Sequence, residues 1–141
     1  MIILDTNVLS EVLKPLPSET VLRWLAGQET TEVFTTTITQ AEVLYGIETM
    51  PPGRRRAQLS AATEKMFAEE FQGRILSFDD AAARAFAKIV AARDAAGHPI
   101  SQCDAMIAAI ARSHRAAVAT RNTADFERCG IQNVNPWKPP R

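Results

Sequence analysis

The chain has 141 residues, 46% of them hydrophobic and 23% charged, with a formal net charge of zero. That is enough for one hydrophobic core but not two, in an ordinary globular composition, so residues 1–141 read as a single domain. A neutral balance speaks against a protein that coats nucleic acid through a broad basic surface, and any phosphate chemistry must draw its positive charge from local clusters or bound metal.

Ile2 to Leu4 is a short, wholly apolar run that meets Asp5 at once. It reads as a strand buried on both faces, the kind that belongs to parallel sheets, and it leaves no basic leader or secretory stretch ahead of it. A short helical stretch follows from Val8 to Leu13, and Ser18 with Glu19 after Pro17 mark another helix start. Val33 to Thr36 reads as the second strand, followed by helices near Thr39 to Met50 and from about Arg54 to Phe71. Ile75 to Phe78 is the third strand, and a helix from Asp79 to Ala96 is closed by Gly97. A further helix starts at Ser101, Ala117 to Thr120 is a strand, a short helix follows Asn122, and Ile131 to Val134 is the last strand.

Alternating short apolar runs and helical stretches predict an α/β fold, a parallel sheet covered by helices on both faces with right-handed crossovers. In such sheets ligands bind beyond the carboxyl ends of the strands, so the polar residues just after each apolar run are the ones to inspect. No strand is followed by a G-x-G-x-x-G or G-x-x-x-x-G-K-[ST] loop, which removes the common nucleotide-cradling sites. The longest substantial apolar stretch, Ala105 to Ala111, is far shorter than the ~20 residues a membrane-spanning helix needs, so a cytoplasmic protein is expected.

Four acids lie at element ends. Asp5 follows the first strand and could equally cap the helix after it, as could Thr6 and Asn7. Glu42 has Ile38 one turn before it and Tyr45 nearly one turn after, on a face that otherwise reads as apolar, so its charge must reach the sheet rim or be compensated. Asp104 stands three residues after Ser101, where it could serve a capping box, yet it continues the stripe of Ile107, Ala108 and Ala111. Asp125 follows Thr120-Arg121-Asn122 and could sit in the first turn of a helix capped by Asn122. Four such acids meeting at one sheet edge would repel one another, raising their pKa values, unless a cation joins them. On that ground neutralising Asp5 should not harm the metal-free protein. Oxygen-only ligands suit Mg²⁺ or Mn²⁺ and disfavour zinc.

The remaining polar residues are weaker signals. Cys103 and Cys129 have no metal-ligand spacing and read as free thiols; His98 and His114 receive no role. Arg54, Arg55 and Arg56 could steer RNA, although a solvated helix start is the better reading. Arg121 could contact a phosphate near the acids or be an exposed loop residue.

Over nearly its whole length the chain resembles the PIN-domain family, and within it the VapC-like toxins of the FitB type. Leu4-Asp5-Thr6-Asn7-Val8 is similar to the first family motif, and Ala41-Glu42-Val43-Leu44-Tyr45-Gly46 to the second. Cys103-Asp104-Ala105-Met106-Ile107-Ala108-Ala109 resembles the third, Ala119-Thr120-Arg121-Asn122 with Asp125-Phe126 the fourth, and Val134-Asn135-Pro136-Trp137 the ending of that subgroup. The resemblance implies a three-layer α/β/α fold and a Mg²⁺- or Mn²⁺-dependent endoribonuclease acting as a toxin. Asp5, Glu42 and Asp104 would be direct or water-mediated metal ligands, and Asp125 would complete the site. Thr120 and Asn122 would position the acids or the attacking water, with Thr6 and Asn7 as supports. It further implies RNA as substrate, a homodimer and an inhibiting antitoxin protein, bound in a heterotetramer or larger assembly. A phosphatase of the haloacid type is the main alternative, but it would want an aspartate where Asn7 stands.

Overall fold

The apolar run at the start of the chain becomes the middle strand of the sheet. In the computed structural model, which describes residues 1–140, β1 (Ile2–Leu4) pairs with β2 (Val33–Thr36) on one side and β4 (Ala117–Ala119) on the other. β3 (Ile75–Leu76) and β5 (Asn133–Val134) form the edges, giving a five-stranded sheet of order β3-β2-β1-β4-β5 in which every pair is parallel. Alternate residues of a strand point to opposite faces. Ile3 and Val118 accordingly enter one core with Ile107 and Ile110, while Leu4 and Ala119 enter a second with Val8, Leu9 and Val43, so the sheet divides the interior in two where the length led to the expectation of a single core.

Helices cover both faces. α1 (Thr6–Val12), α2 (Glu19–Ala26), α3 (Thr37–Glu48) and α4 (Arg54–Lys65) supply the core on the Leu4 face. α5 (Asp80–Ala95) and α6 (Gln102–Ser113) supply the one on the Ile3 face. α6 is the more deeply set of these two, since Ala105 and every residue from Ile107 to Ala111 are buried, four of the six being alanines small enough to let helix and sheet approach closely.

The chain lays down β1, β2 and β3 outward in one direction, then crosses to build β4 and β5 on the other side of β1. The strand order thus reverses between β1 and β4, and a crevice opens at their carboxyl ends.

The predicted elements differ from the observed ones mostly at their ends. β3 stops at Leu76 because Phe78 turns away to pack edge-on against Phe86, 5.9 Å between ring centres, before Asp79 caps α5. The stretch expected as one helix from Arg54 to Phe71 leaves α-geometry at Met66 and makes a π-turn through Glu70, with Phe71 N–H donating to the Met66 carbonyl. The extra residue in that turn lets Met66, Phe67 and Phe71 all reach the core. Gly97 does close α5: at φ 74° it donates to the Asp94 carbonyl while His98 N–H donates to that of Arg93, the paired bonds of a left-handed helix end.

Arg93 was not foreseen from sequence. It ends the apolar stripe of Ala82 and Ile89 on α5 and is only 6% exposed. Among the described residues no carboxylate pairs with it; its guanidinium donates instead to the carbonyls of His98, Pro99, Asp125 and Glu127. It therefore ties the loop leading into α6, the helix that carries Asp104, to the 3₁₀ turn Thr123–Phe126, which carries Asp125. Replacing Arg93 with Met should lower unfolding stability by about 2 to 4 kcal/mol, because it removes the donor shared by four carbonyls at once. A urea titration should show the midpoint falling at unchanged slope, and Arg93→Lys should recover only part because an ammonium cannot span that spread of acceptors.

Candidate active site

Asp5 emerges where β1 ends, and the main chain holds it against β4: its N–H donates to the Ala119 carbonyl at 3.0 Å. The capping reading of this residue is borne out, and its second oxygen is engaged as well. Asp5 caps α1, Oδ1 accepting the Thr6 N–H at 2.8 Å, while Oδ2 accepts the Thr120 hydroxyl at 2.8 Å and the Asn7 amide at 3.4 Å. Thr120 Oγ1 in turn accepts from the Asn7 side chain at 3.3 Å and from the Asn122 N–H at 3.1 Å. Residues 115 positions apart are thereby locked together.

Glu42 comes from the second turn of α3, whose cap Thr36 ends β2. Thr6 Oγ1 donates to Glu42 Oε1 at 2.7 Å and lies 3.5 Å from the Thr39 hydroxyl, which the Thr36 hydroxyl contacts at 3.3 Å. Asp104 stands in the first turn of α6, whose cap Ser101 accepts its N–H at 3.2 Å. Asp125 is exposed in the 3₁₀ turn beyond β4. All four acids line one open pocket of about 450 Å³ with Thr6, Asn7 and Asn122. Thr120 lies beneath it, wholly buried.

The electrostatics follow from this packing. Burial pushes the Asp5 carboxyl up to about 6, against the hydrogen bonds from Thr120 and Thr6, with smaller upward contributions from Asp104 and Glu42. Asp104 is also raised, first by burial and then by Asp125 and Glu42, although its contact with Ser101 opposes the shift. Repulsion among the acids is thus present, but loss of water is the larger cause at both positions. Among the described residues no three acid, thiol or imidazole side chains converge closely enough to grip an ion directly. An all-oxygen, strongly anionic pocket of this size nonetheless fits a divalent ion that keeps part of its water shell, as Mg²⁺ does.

Some sequence readings need revision. The face of α3 carrying Glu42 is not a continuous apolar one: Tyr45 is 71% exposed, and the buried positions are Thr39, Val43 and Ile47. Glu42 lies at the border between that face and solvent, which is how a half-buried carboxylate reaches the pocket. Helical spacing from Asn7 would have revealed Ser10, Glu11 and Lys14, which line the pocket along one face of α1 or its extension. Buried Glu11 accepts from Lys14 Nζ at 3.1 Å and from Ser18 N–H at 3.1 Å, and the Lys14 contact leads in holding its carboxyl below the usual range. The basic run behaves as a helix start, with Arg56 bound to Glu48 at 3.0 Å. Both cysteines are free.

Because the folded-state pKa of Asp5 lies above its unfolded value, the contribution of the protonated form is full below pH 4 and is lost as pH rises through about 6. Burying the ionised form costs about 3 kcal/mol at neutral pH on that shift. Asp5→Asn removes this cost but weakens the bond from Thr120. In thermal melts with chelator, the variant should therefore gain on the parent between pH 5 and pH 7.5; a deficit that stays constant with pH would show Asp5 to be a cap alone.

The PIN domain family matches residues 2–131. The chain is 40% identical over 139 residues to the VapC ribonuclease Y4jK of Sinorhizobium fredii, covering 99% of each, and 38% identical over 137 residues to the toxin FitB of Neisseria gonorrhoeae, covering 97% of this chain and 99% of that one. The solved structure of FitAcB from Neisseria gonorrhoeae superposes with a TM-score of 0.91 at 38% identity, across 97% of this chain and 99% of that one. With the match running through all four acids and the same fold recovered at this identity, the chain belongs to the PIN domain family.

Proposed function

We propose that this chain is an endoribonuclease that hydrolyses RNA phosphodiester bonds in the pocket at the carboxyl ends of β1 and β4, and that it is the toxin of a type II toxin-antitoxin pair. One observation carries the reading: Asp5, Glu42, Asp104 and Asp125, from four separate stretches of sequence, line a single pocket. The names of two similar proteins, a VapC ribonuclease and a toxin, support it.

These four acids are the proposed metal and catalytic set. Asp5 is the most firmly placed, with both carboxyl oxygens engaged by Thr6, Asn7 and Thr120. Thr6 turns Glu42 toward the same space, α6 presents Asp104 from its first turn, and Asp125 closes the rim. Held by these acids, Mg²⁺ or Mn²⁺ would polarise the phosphodiester, help activate water and offset charge on the leaving oxygen. Thr120 and Asn122 keep the Asp5 side of the pocket rigid, and Asn7 bridges Asp5 to the backbone of Arg121. Preorganisation of this kind means Asp5 need not be repositioned when substrate arrives.

RNA cleavage by the purified protein should require Mg²⁺ or Mn²⁺ and stop in excess chelator, and Asp5→Asn or Asp104→Asn should remove most of it without loss of the folded state. Unchanged cleavage in chelator would overturn the metal reading. Thr6→Val, which deletes the hydroxyl that orients Glu42, should weaken metal activation by about 10- to 100-fold, the usual range for outer partners of metal ligands. The shift would be read from cleavage rate against metal concentration.

We further propose that residues 1–141 act as one cytoplasmic unit, that two copies form a homodimer, and that an antitoxin protein silences it in a heterotetramer or larger complex. No helix among the described residues is long and apolar enough to cross a membrane. Light scattering should give the mass of two chains. Growth arrest on expression should be relieved by the product of an adjacent gene that co-purifies with the protein, and arrest unaffected by such a product would count against this pairing.

A further inference from the structure

Two cations line the acid pocket, and they are differently employed. Lys14 is bound to Glu11 at 3.1 Å. Arg121 forms no ion pair among the described residues, although Asp5, Glu11, Glu42, Asp104 and Asp125 line the same pocket. Its guanidinium lies instead over the Trp137 ring, 4.9 Å from the ring centre.

This placement is built from three parts of the chain. Arg121 N–H donates to Asn7 Oδ1 at 3.2 Å, and its carbonyl accepts from Asn135 Nδ2 at 3.4 Å. Asn135 Oδ1 also accepts the Trp137 N–H at 2.9 Å, so one asparagine sets both the arginine backbone and the aromatic ring beneath its head. Asn7, on the opposite side, is the residue that contacts both Asp5 and Thr120. The arginine is therefore referenced to the acids through a single side chain.

Stacking uses the face of a guanidinium and leaves its in-plane N–H donors available for a two-pronged contact with phosphate oxygens. It also holds the head on its own platform instead of letting it fold onto the nearby carboxylates, where it would neutralise them. A pocket with this excess of acids repels an RNA backbone, and a fixed cation at its rim supplies the attraction that the zero net charge of the chain cannot.

We propose that Arg121, seated on Trp137, is the substrate-binding residue that grips an RNA phosphate next to the one being cleaved and so aligns the strand across the acids. The proposal rests on the ribonuclease reading above. Arg121 then acts on binding, and Trp137 acts through Arg121 as a positioning residue.

The test compares the parent with Arg121→Ala, Arg121→Lys, Trp137→Ala and Trp137→Phe, using single-stranded RNA of randomised sequence with Mg²⁺ and following KM, kcat and the salt dependence of binding. Arg121→Ala should raise KM by about tenfold or more, the weight of one charge-assisted contact, with kcat changed far less. It should also reduce the slope of log affinity against log salt by about 0.7, the value for one phosphate contact on a single strand. Arg121→Lys should restore the salt slope but only part of KM. Trp137→Ala should raise KM in the direction of Arg121→Ala, whereas Trp137→Phe, which keeps an aromatic face, should stay near the parent. Unchanged KM and salt slope in Arg121→Ala, or a loss confined to kcat or to melting temperature, would overturn the proposal while the parent still cleaves RNA. A parent that neither binds nor cleaves RNA would instead overturn the ribonuclease reading, and this assignment with it.

Discussion

The structure hangs on a strand of three residues that has to be buried on both faces. Ile3 and Leu4 are wholly enclosed, each in a different core, so β1 can occupy only the centre of the sheet. A central parallel strand has partners on both sides and no edge exposed to water. Its next residue is then the first polar group to leave the sandwich, at the point where the strand order reverses. Asp5 is that residue. The position of the candidate site follows from where the apolar run stops, and the pairing of Leu4 with Ala119 brings Thr120 to the same place from the far end of the chain.

A carboxylate at such a position carries a conflict between packing and solvation. Asp5 is 6% exposed, and loss of water raises its carboxyl more than the acids around it do. Hydrogen bonds from Thr6 and Thr120 oppose the rise without cancelling it. Satisfied polar contacts are what allow the group to stay buried at all. The layer around it is made of short hydroxyl and amide side chains, Thr6, Thr36, Thr39, Thr120 and Asn7, which lose little side-chain freedom when held. Arg93 does the same for the outer part of the site, chiefly through carbonyls, joining the loop before α6 to the turn that carries Asp125. The outcome is a candidate site whose central acid is held in place by the fold itself, at some expense in stability.

Much of this was readable from the chain because it depends on local order. The five apolar runs, the caps at Ser18, Asp79 and Ser101, the glycine closing α5 and the position of each acid after an element end are all properties of neighbouring residues, and the structure retains them. Burial of β1 on both faces and a parallel sheet with two helical layers follow from the absence of alternation in those runs. Other features belong to no single stretch. The π-turn at Met66 arises because three large side chains must reach one core, and β3 ends early because Phe78 finds Phe86. Tyr45 faces water although its spacing from Glu42 suggested otherwise, since which stripe of α3 is buried depends on what packs against it. The role of Arg93 could not be read from its neighbours, because it needs the carbonyls of Asp125 and Glu127, more than thirty residues on, to close around it together with those of the adjoining loop. By itself the sequence determined the elements, the caps and the candidate acids, all of which follow from interactions within a few residues. Only the tertiary structure decided which side chains share the pocket, why the Asp5 carboxyl is raised and where Arg121 rests, because solvation and long-range contact exist only once the chain has closed on itself.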